Sequence, residues 1–184
     1  MQDDILAFWF GEVPGPERDA WFRKDDAFDA AIHARFADAI ATALEGGFTE
    51  WTSTPRGALA RVILLDQFTR NAFRDSPQAF AGDDQALASA RHAVDHGFDA
   101  SLAPVERWFL YMPFQHAEDR HTQARSVALF TDLADAGLPG PLEYARRHAE
   151  VIARFGRFPH RNAILGRPST PDEIAFLREP GSRF

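Results

Sequence analysis

Three stretches of this chain hold side chains that could do chemistry at one place. In the first, Leu65-Asp66-Gln67-Phe68-Thr69-Arg70-Asn71-Ala72-Phe73-Arg74, the residues Asp66, Arg70 and Arg74 recur every four positions. On a helix that spacing puts an acid and two bases on one side, which serves either as an ordinary helix ion pair or as a ligand-holding face. The second, Tyr111-Met112-Pro113-Phe114-Gln115-His116-Ala117-Glu118-Asp119-Arg120-His121-Thr122-Gln123, sets a polar group directly after a proline. His116 with Glu118 or Asp119 would make an acid–base pair, because imidazole titrates near neutrality and a carboxylate can fix its tautomer. Gln123 shares that face. Glu118 and His121 have the spacing of half a di-iron site, but the chain offers no second copy, so no metal is expected.

The third runs from Arg154 to Arg167 and includes Arg157, His160, Arg161 and Asn162. Between Val151 and Pro171 there are four arginines and no acid, although the whole chain has 27 acids, 20 Lys or Arg and a net charge of −7. Guanidiniums held on a glycine-flanked turn are forked donors for carboxylate or phosphate. The same arginines could equally pair with this chain's own Asp66, Glu118 or Asp119. His148 lies one helix earlier and could face the turn.

Composition limits the partners. An acidic surface with a pI near 5.4 repels nucleic acid. The absence of cysteine rules out thiol catalysis and thiolate metal sites and suits a reducing cytoplasm. No apolar run is long enough for a membrane span. Neither a glycine-rich nucleotide loop nor a Gly-x-Ser-x-Gly elbow occurs, and no cofactor is expected.

Helices must position these groups. Phe28, Ile32, Phe36, Ile40 and Leu44 fall four apart and predict a helix over 25–45; others are expected over 55–73, 83–96, 116–136, 141–155 and 171–179. Pro104 opens a further helix that Pro113 should bend or interrupt. Hydroxyls before Pro55, Pro77 and Pro171 mark helix starts, and Gly46, Gly97 and Gly137 mark stops. No period-two alternation suggests a sheet. A single all-α domain over 1–184, built from antiparallel helix pairs, is the expectation.

The three stretches also resemble a known family. Leu65 to Asn71, Tyr111-Met112-Pro113 with His116 to Asp119, and Arg154 to Asn162 with Leu165-Gly166-Arg167 look like domain-of-unknown-function family 924, with Ala117 in the place of the family's serine. The resemblance extends from Trp9-Phe10-Gly11 to Thr170-Pro171-Asp172-Glu173. It implies a tetratricopeptide-like right-handed superhelix and no particular activity or cofactor. Three functional readings remain open from the residues. The chain could bind an anionic small molecule or peptide carboxylate through Asp66, Arg70, Arg74, Gln123, His148, Arg154, Arg157, His160, Arg161, Asn162 and Arg167. It could be an enzyme using His116, Glu118 and Asp119 on an anionic substrate. It could also be a scaffold for a partner protein.

Overall fold

A computed structural model describes every residue except 12–14, 16, 17, 183 and 184. Among the described residues all regular elements are helical. In chain order they are α1 (Gln2–Phe10), α2 (Asp26–Leu44), α3 (Pro55–Val62), α4 (Thr69–Ala72), α5 (Asp83–Asp95), α6 (Pro104–His116), α7 (Arg120–Asp135), α8 (Gly140–Phe155) and α9 (Pro171–Phe176), with short 3₁₀ turns between several of them.

The expected boundaries follow local chemistry. Thr54 accepts from the Gly57 amide, and Asp25 accepts from those of Ala27 and Phe28. The Thr170–Glu173 capping box closes both ways at α9. Gly46, Gly97 and Gly137 all adopt the left-handed backbone that a side chain would disfavour.

Two expectations are corrected. Pro113 does not interrupt its helix; α6 runs through it to His116, so His116 ends α6 instead of opening the next helix, and α7 begins at Arg120. Proline deletes a single amide donor, and the buried Trp108, Phe109, Leu110, Tyr111 and Phe114 hold α6 in the core around it. The stretch expected as one helix over 55–73 is not uniform either. Between α3 and α4, Ile63–Phe68 forms a π-helical turn in which every residue is buried.

α6 is the central element, packed against α3, α5, α7 and α8. Trp9, Trp21, Phe68 and Phe109 meet around it, with Phe109 4.8 Å from Trp21 and 5.4 Å from Trp9, edge to face. Each such ring buries enough apolar surface to contribute about 1.5–3 kcal/mol. Trp51 is buried as well, whereas Phe22 is half exposed and stacks on Trp108. α7 follows α6 and α8 follows α7 through short connections, and each packs on its predecessor. This brings the π turn, the end of α6, the start of α7 and the segment after α8 to one place.

Candidate functional site

Asp66 lies in the π turn with no exposed surface. A π turn inserts an extra residue into a helix and so redirects the side chains beside it, here within a fully buried run. A carboxylate there must be fully paired, since enclosing an unpaired charge costs several kcal/mol. Gln67 Nε2 donates to it at 2.6 Å and His116 Nδ1 at 2.7 Å, and Arg70 Nη1 lies 3.1 Å away. Burial would raise the Asp66 pKa, but Arg70 and His116 overcome that and hold it well below the usual carboxylate range.

An ionised carboxylate only accepts, so the His116 proton sits on Nδ1 and the lone pair on Nε2. Burial, and then the charge of Arg70, push the His116 pKa down, keeping the ring neutral at pH 7. His116 is 9% exposed, and no described residue hydrogen-bonds to Nε2. The ring lines a cleft of about 310 Å³ bounded by α5, the end of α6, the start of α7 and Arg161.

Charge continues around the floor of this cleft. Arg70 also grips Asp83 with two bonds of 2.8 and 3.1 Å. Arg161 donates to the same carboxylate at 3.0 Å and to the His116 carbonyl at 3.0 Å. Its guanidinium lies between the rings of Phe80 and Phe158, 4.7 Å from each centroid. Burial and the neighbouring Arg70 lower its pKa to about 10, so it stays cationic at neutral pH. The Nε of Arg161 is enclosed without a hydrogen-bond partner among the described residues.

The other two candidate acid–base groups are anchored. Glu118 accepts the Phe158 amide at 2.7 Å and two bonds from Arg167 at 2.6 and 2.9 Å. Burial opposes ionisation there, and Arg167 with the Phe158 amide lowers the pKa nonetheless. Asp119 caps α7, accepting from the Thr122 amide and hydroxyl at 2.7 Å each. The carboxylate on His116 is therefore Asp66, fifty positions away in sequence.

The remaining candidates divide clearly. Asp66, Arg70, His116, Glu118, Asp119 and Arg161 gather at the cleft or directly behind it. His148 is buried beside His116, ring centres 6.3 Å apart, with its Nδ1 on the Tyr144 carbonyl at 2.7 Å. Burial pushes its pKa down to about 3, and His116 acts in the same direction once it is protonated. His160 stands 5.6 Å from Phe158, and burial with the charge of Arg161 takes its pKa down to about 4. Gln123 ties the α6–α7 connection by donating to the carbonyls of Gln115 and Ala117 at 2.7 and 2.8 Å.

Four of the arginines, with Asn162, are used elsewhere. Arg74 pairs with Asp29 of α2. Arg157 grips Glu173 at 2.7 and 2.8 Å. Arg154 is half exposed, 4.6 Å over Phe155 and 4.0 Å from Glu179. Asn162 accepts from Arg167 and donates to Ser169, locking the turn. Sequence reasoning missed Asp83, Asp84, Arg91 and Thr122, which line the same cleft. Asp83 and Asp84 read as helix-dipole acids in the first turn of α5, and no local pattern separates that role from a site. Among the described residues no three His, Asp or Glu side chains converge as a metal-ion set. No described helix is long and apolar enough to cross a membrane.

Comparison with known proteins places this geometry in context. The model of a bacterial protein family of unknown function, DUF924, matches residues 5–181. A solved structure of a protein of unknown function, ATU0120 from Agrobacterium tumefaciens, is 41% identical over 96% of each chain, with a TM-score of 0.86. Among curated proteins no match is found.

Proposed function

The chain belongs to the DUF924 family of bacterial proteins of unknown function, and from that premise we propose that the cleft at His116 is an acid–base site acting on a small polar molecule in the cytoplasm. One observation carries the reading. A fully buried carboxylate holds Nδ1 of a neutral histidine at 2.7 Å, and the opposite nitrogen belongs to a ring that lines an open cleft. That arrangement fixes the tautomer and orientation of the base before any substrate arrives.

In this reading Nε2 of His116 takes a proton from the substrate, and Asp66 stabilises the imidazolium that results. Arg91, which lines the cleft and has no carboxylate within ion-pair distance among the described residues, meets a carboxylate or other anionic group of the substrate. Arg70 and Asp83 serve as positioning residues, since they hold Asp66 and Arg161 in place. Glu118 and Asp119 shape the wall without moving protons.

Hydrolysis of p-nitrophenyl acetate, an activated ester that accepts help from any poised imidazole, tests this. The rate should depend on His116, fall strongly in His116→Gln, and hold its plateau to a lower pH than free imidazole allows. Equal rates in wild type and His116→Gln would make the Asp66–His116 pair a structural clamp.

A further inference from the structure

The charges left over at the cleft specify what it takes. At its floor Asp66 and Asp83 meet Arg70 and Arg161, two acids against two bases, and Glu118 meets Arg167. These groups neutralise one another. Outside that account are Asp84, and Asp119 with Arg91, which meet on the Thr122 hydroxyl. Asp84 is exposed and forms no ion pair among the described residues. Asp119 uses one oxygen, Oδ1, for the α7 cap. Arg91 gives one Nη to Thr122 Oγ1 at 2.6 Å and has no carboxylate within ion-pair distance among the described residues.

Asp84, Leu87 and Arg91 sit at i, i+3 and i+7 on α5, so one helix face presents an acid, an apolar step and a base to the cleft. The two charges are about 10 Å apart along the axis. His116 adds a third element: a ring with 11% of its side-chain surface exposed, whose Nε2 has no hydrogen-bond partner among the described residues and can only accept a proton. A simple anion on Arg91 would leave Asp84 and the lone pair unmet. A simple amine would face Arg91. A molecule carrying both charges satisfies all of them.

We propose that the cleft binds a small zwitterion, an amino acid or short peptide, with its ammonium toward Asp84 and His116 and its carboxylate on Arg91. Size agrees, because about 310 Å³ holds the equivalent of roughly ten waters, which is close to the non-hydrogen atom count of a dipeptide. The assignment rests on the acid–base reading of His116 and adds the substrate class. An ammonium group is also what a neutral imidazole can deprotonate to expose an amine nucleophile.

The test is a titration followed by the imidazole NMR signals of His116, identified by their loss in His116→Gln. Three probes of matched shape are used: glycylglycine, N-acetylglycylglycine without the ammonium, and glycylglycinamide without the carboxylate. A panel of free amino acids runs beside them. Glycylglycine or one of the amino acids should shift the His116 signals, with each charge-deleted probe weaker by about tenfold or more. Asp84→Asn and Arg91→Gln should each weaken the binding similarly. Equal binding of the N-acetyl probe would make the cleft an anion site, and equal binding of the amide would make it a cation site. Either result overturns the zwitterion and leaves the acid–base reading standing. Silence with every probe and amino acid also overturns it. A His116 ring that titrates like free histidine would instead remove the acid–base reading itself.

Discussion

Gly82 sits directly against the backbone of Leu65: a Cβ at residue 82 would stand 2.2 Å from the Leu65 carbonyl oxygen. That oxygen belongs to the π turn and accepts the Thr69 hydroxyl at 2.8 Å. One residue on, Asp83 opens α5 and joins Arg70 to Arg161. Close backbone contact at Gly82 therefore sets how far α5 stands from the carboxylate that orients His116.

Gly82→Ala should for this reason be costly, although residue 82 has ordinary backbone angles. The contact is with backbone, so the chain itself has to move, at about 1–3 kcal/mol. A fall in Tm of roughly 2–4 °C for each of those kcal/mol is expected. The variant should also lose ester hydrolysis out of proportion to its stability, because Asp83 and then Arg161 are displaced. Unchanged Tm and unchanged rate would show that α5 is not pinned there.

Asp66→Asn keeps the size of the side chain and removes its charge. Arg70 and His116 then face a neutral amide at a fully buried position. Breaking a buried pair from one side costs about 3–5 kcal/mol. Asp66→Asn together with Arg70→Met should recover part of that loss, because neither charge is then left alone. Chemical denaturation of the two singles and the double measures the coupling; strict additivity would deny that the pair is an energetic unit.

Stability should fall steeply in acid, in two stages. His116, His148 and His160 all have pKa values below the ordinary 6.5 in the folded chain, so the unfolded chain binds protons that the folded one refuses. Their contribution is complete above about pH 6.5 and is lost as pH falls toward about 4 and then 3, by about 1.4 kcal/mol per pH unit for each histidine still refusing its proton. Asp66, with its lowered pKa, adds a second loss below the normal carboxylate range. Urea melts between neutral and acid pH report the slope. His148→Phe should flatten the first stage, and an unaltered slope would mean that its burial has no titration consequence.

The helices were legible because their signals are local. Thr54 before Pro55, Thr170 with Glu173, and Gly97 after α5 each act within four residues of where they stand. The π turn was not, since Ile63 to Phe68 reads as any buried helical run until the rest of the core fixes its register. The basic segment was legible as a concentration of charge, but its partners were not. Glu173 lies 16 positions from Arg157, Glu118 lies 49 from Arg167, and Asp83 lies 78 from Arg161. An acid-free segment says only that its counter-charges come from elsewhere. The Asp66–His116 pair is hidden for the same reason, and the nearer Glu118 and Asp119 looked like better partners for His116 only along the chain.

Those pairings make two arginines of the one segment behave differently. Arg157 holds Glu173, whose pKa it lowers to about 2, and so closes α9 onto the turn away from the cleft. Arg157→Ala should lower Tm and leave both ester hydrolysis and the His116 NMR signals as they were. Arg167 holds Glu118, which in turn accepts the Phe158 amide, and Phe158 forms one wall of the slot for Arg161. Arg167→Ala should cost about 1–3 kcal/mol for the carboxylate left half-paired, and it should also loosen Arg161 and shift the His116 signals. Arg167→Lys should not restore them, because an ammonium cannot make the two parallel bonds to Glu118 that the guanidinium makes. If Arg157→Ala perturbs His116 as strongly as Arg167→Ala does, the arginine segment acts as one unit, and the separation of clamp from cleft is wrong.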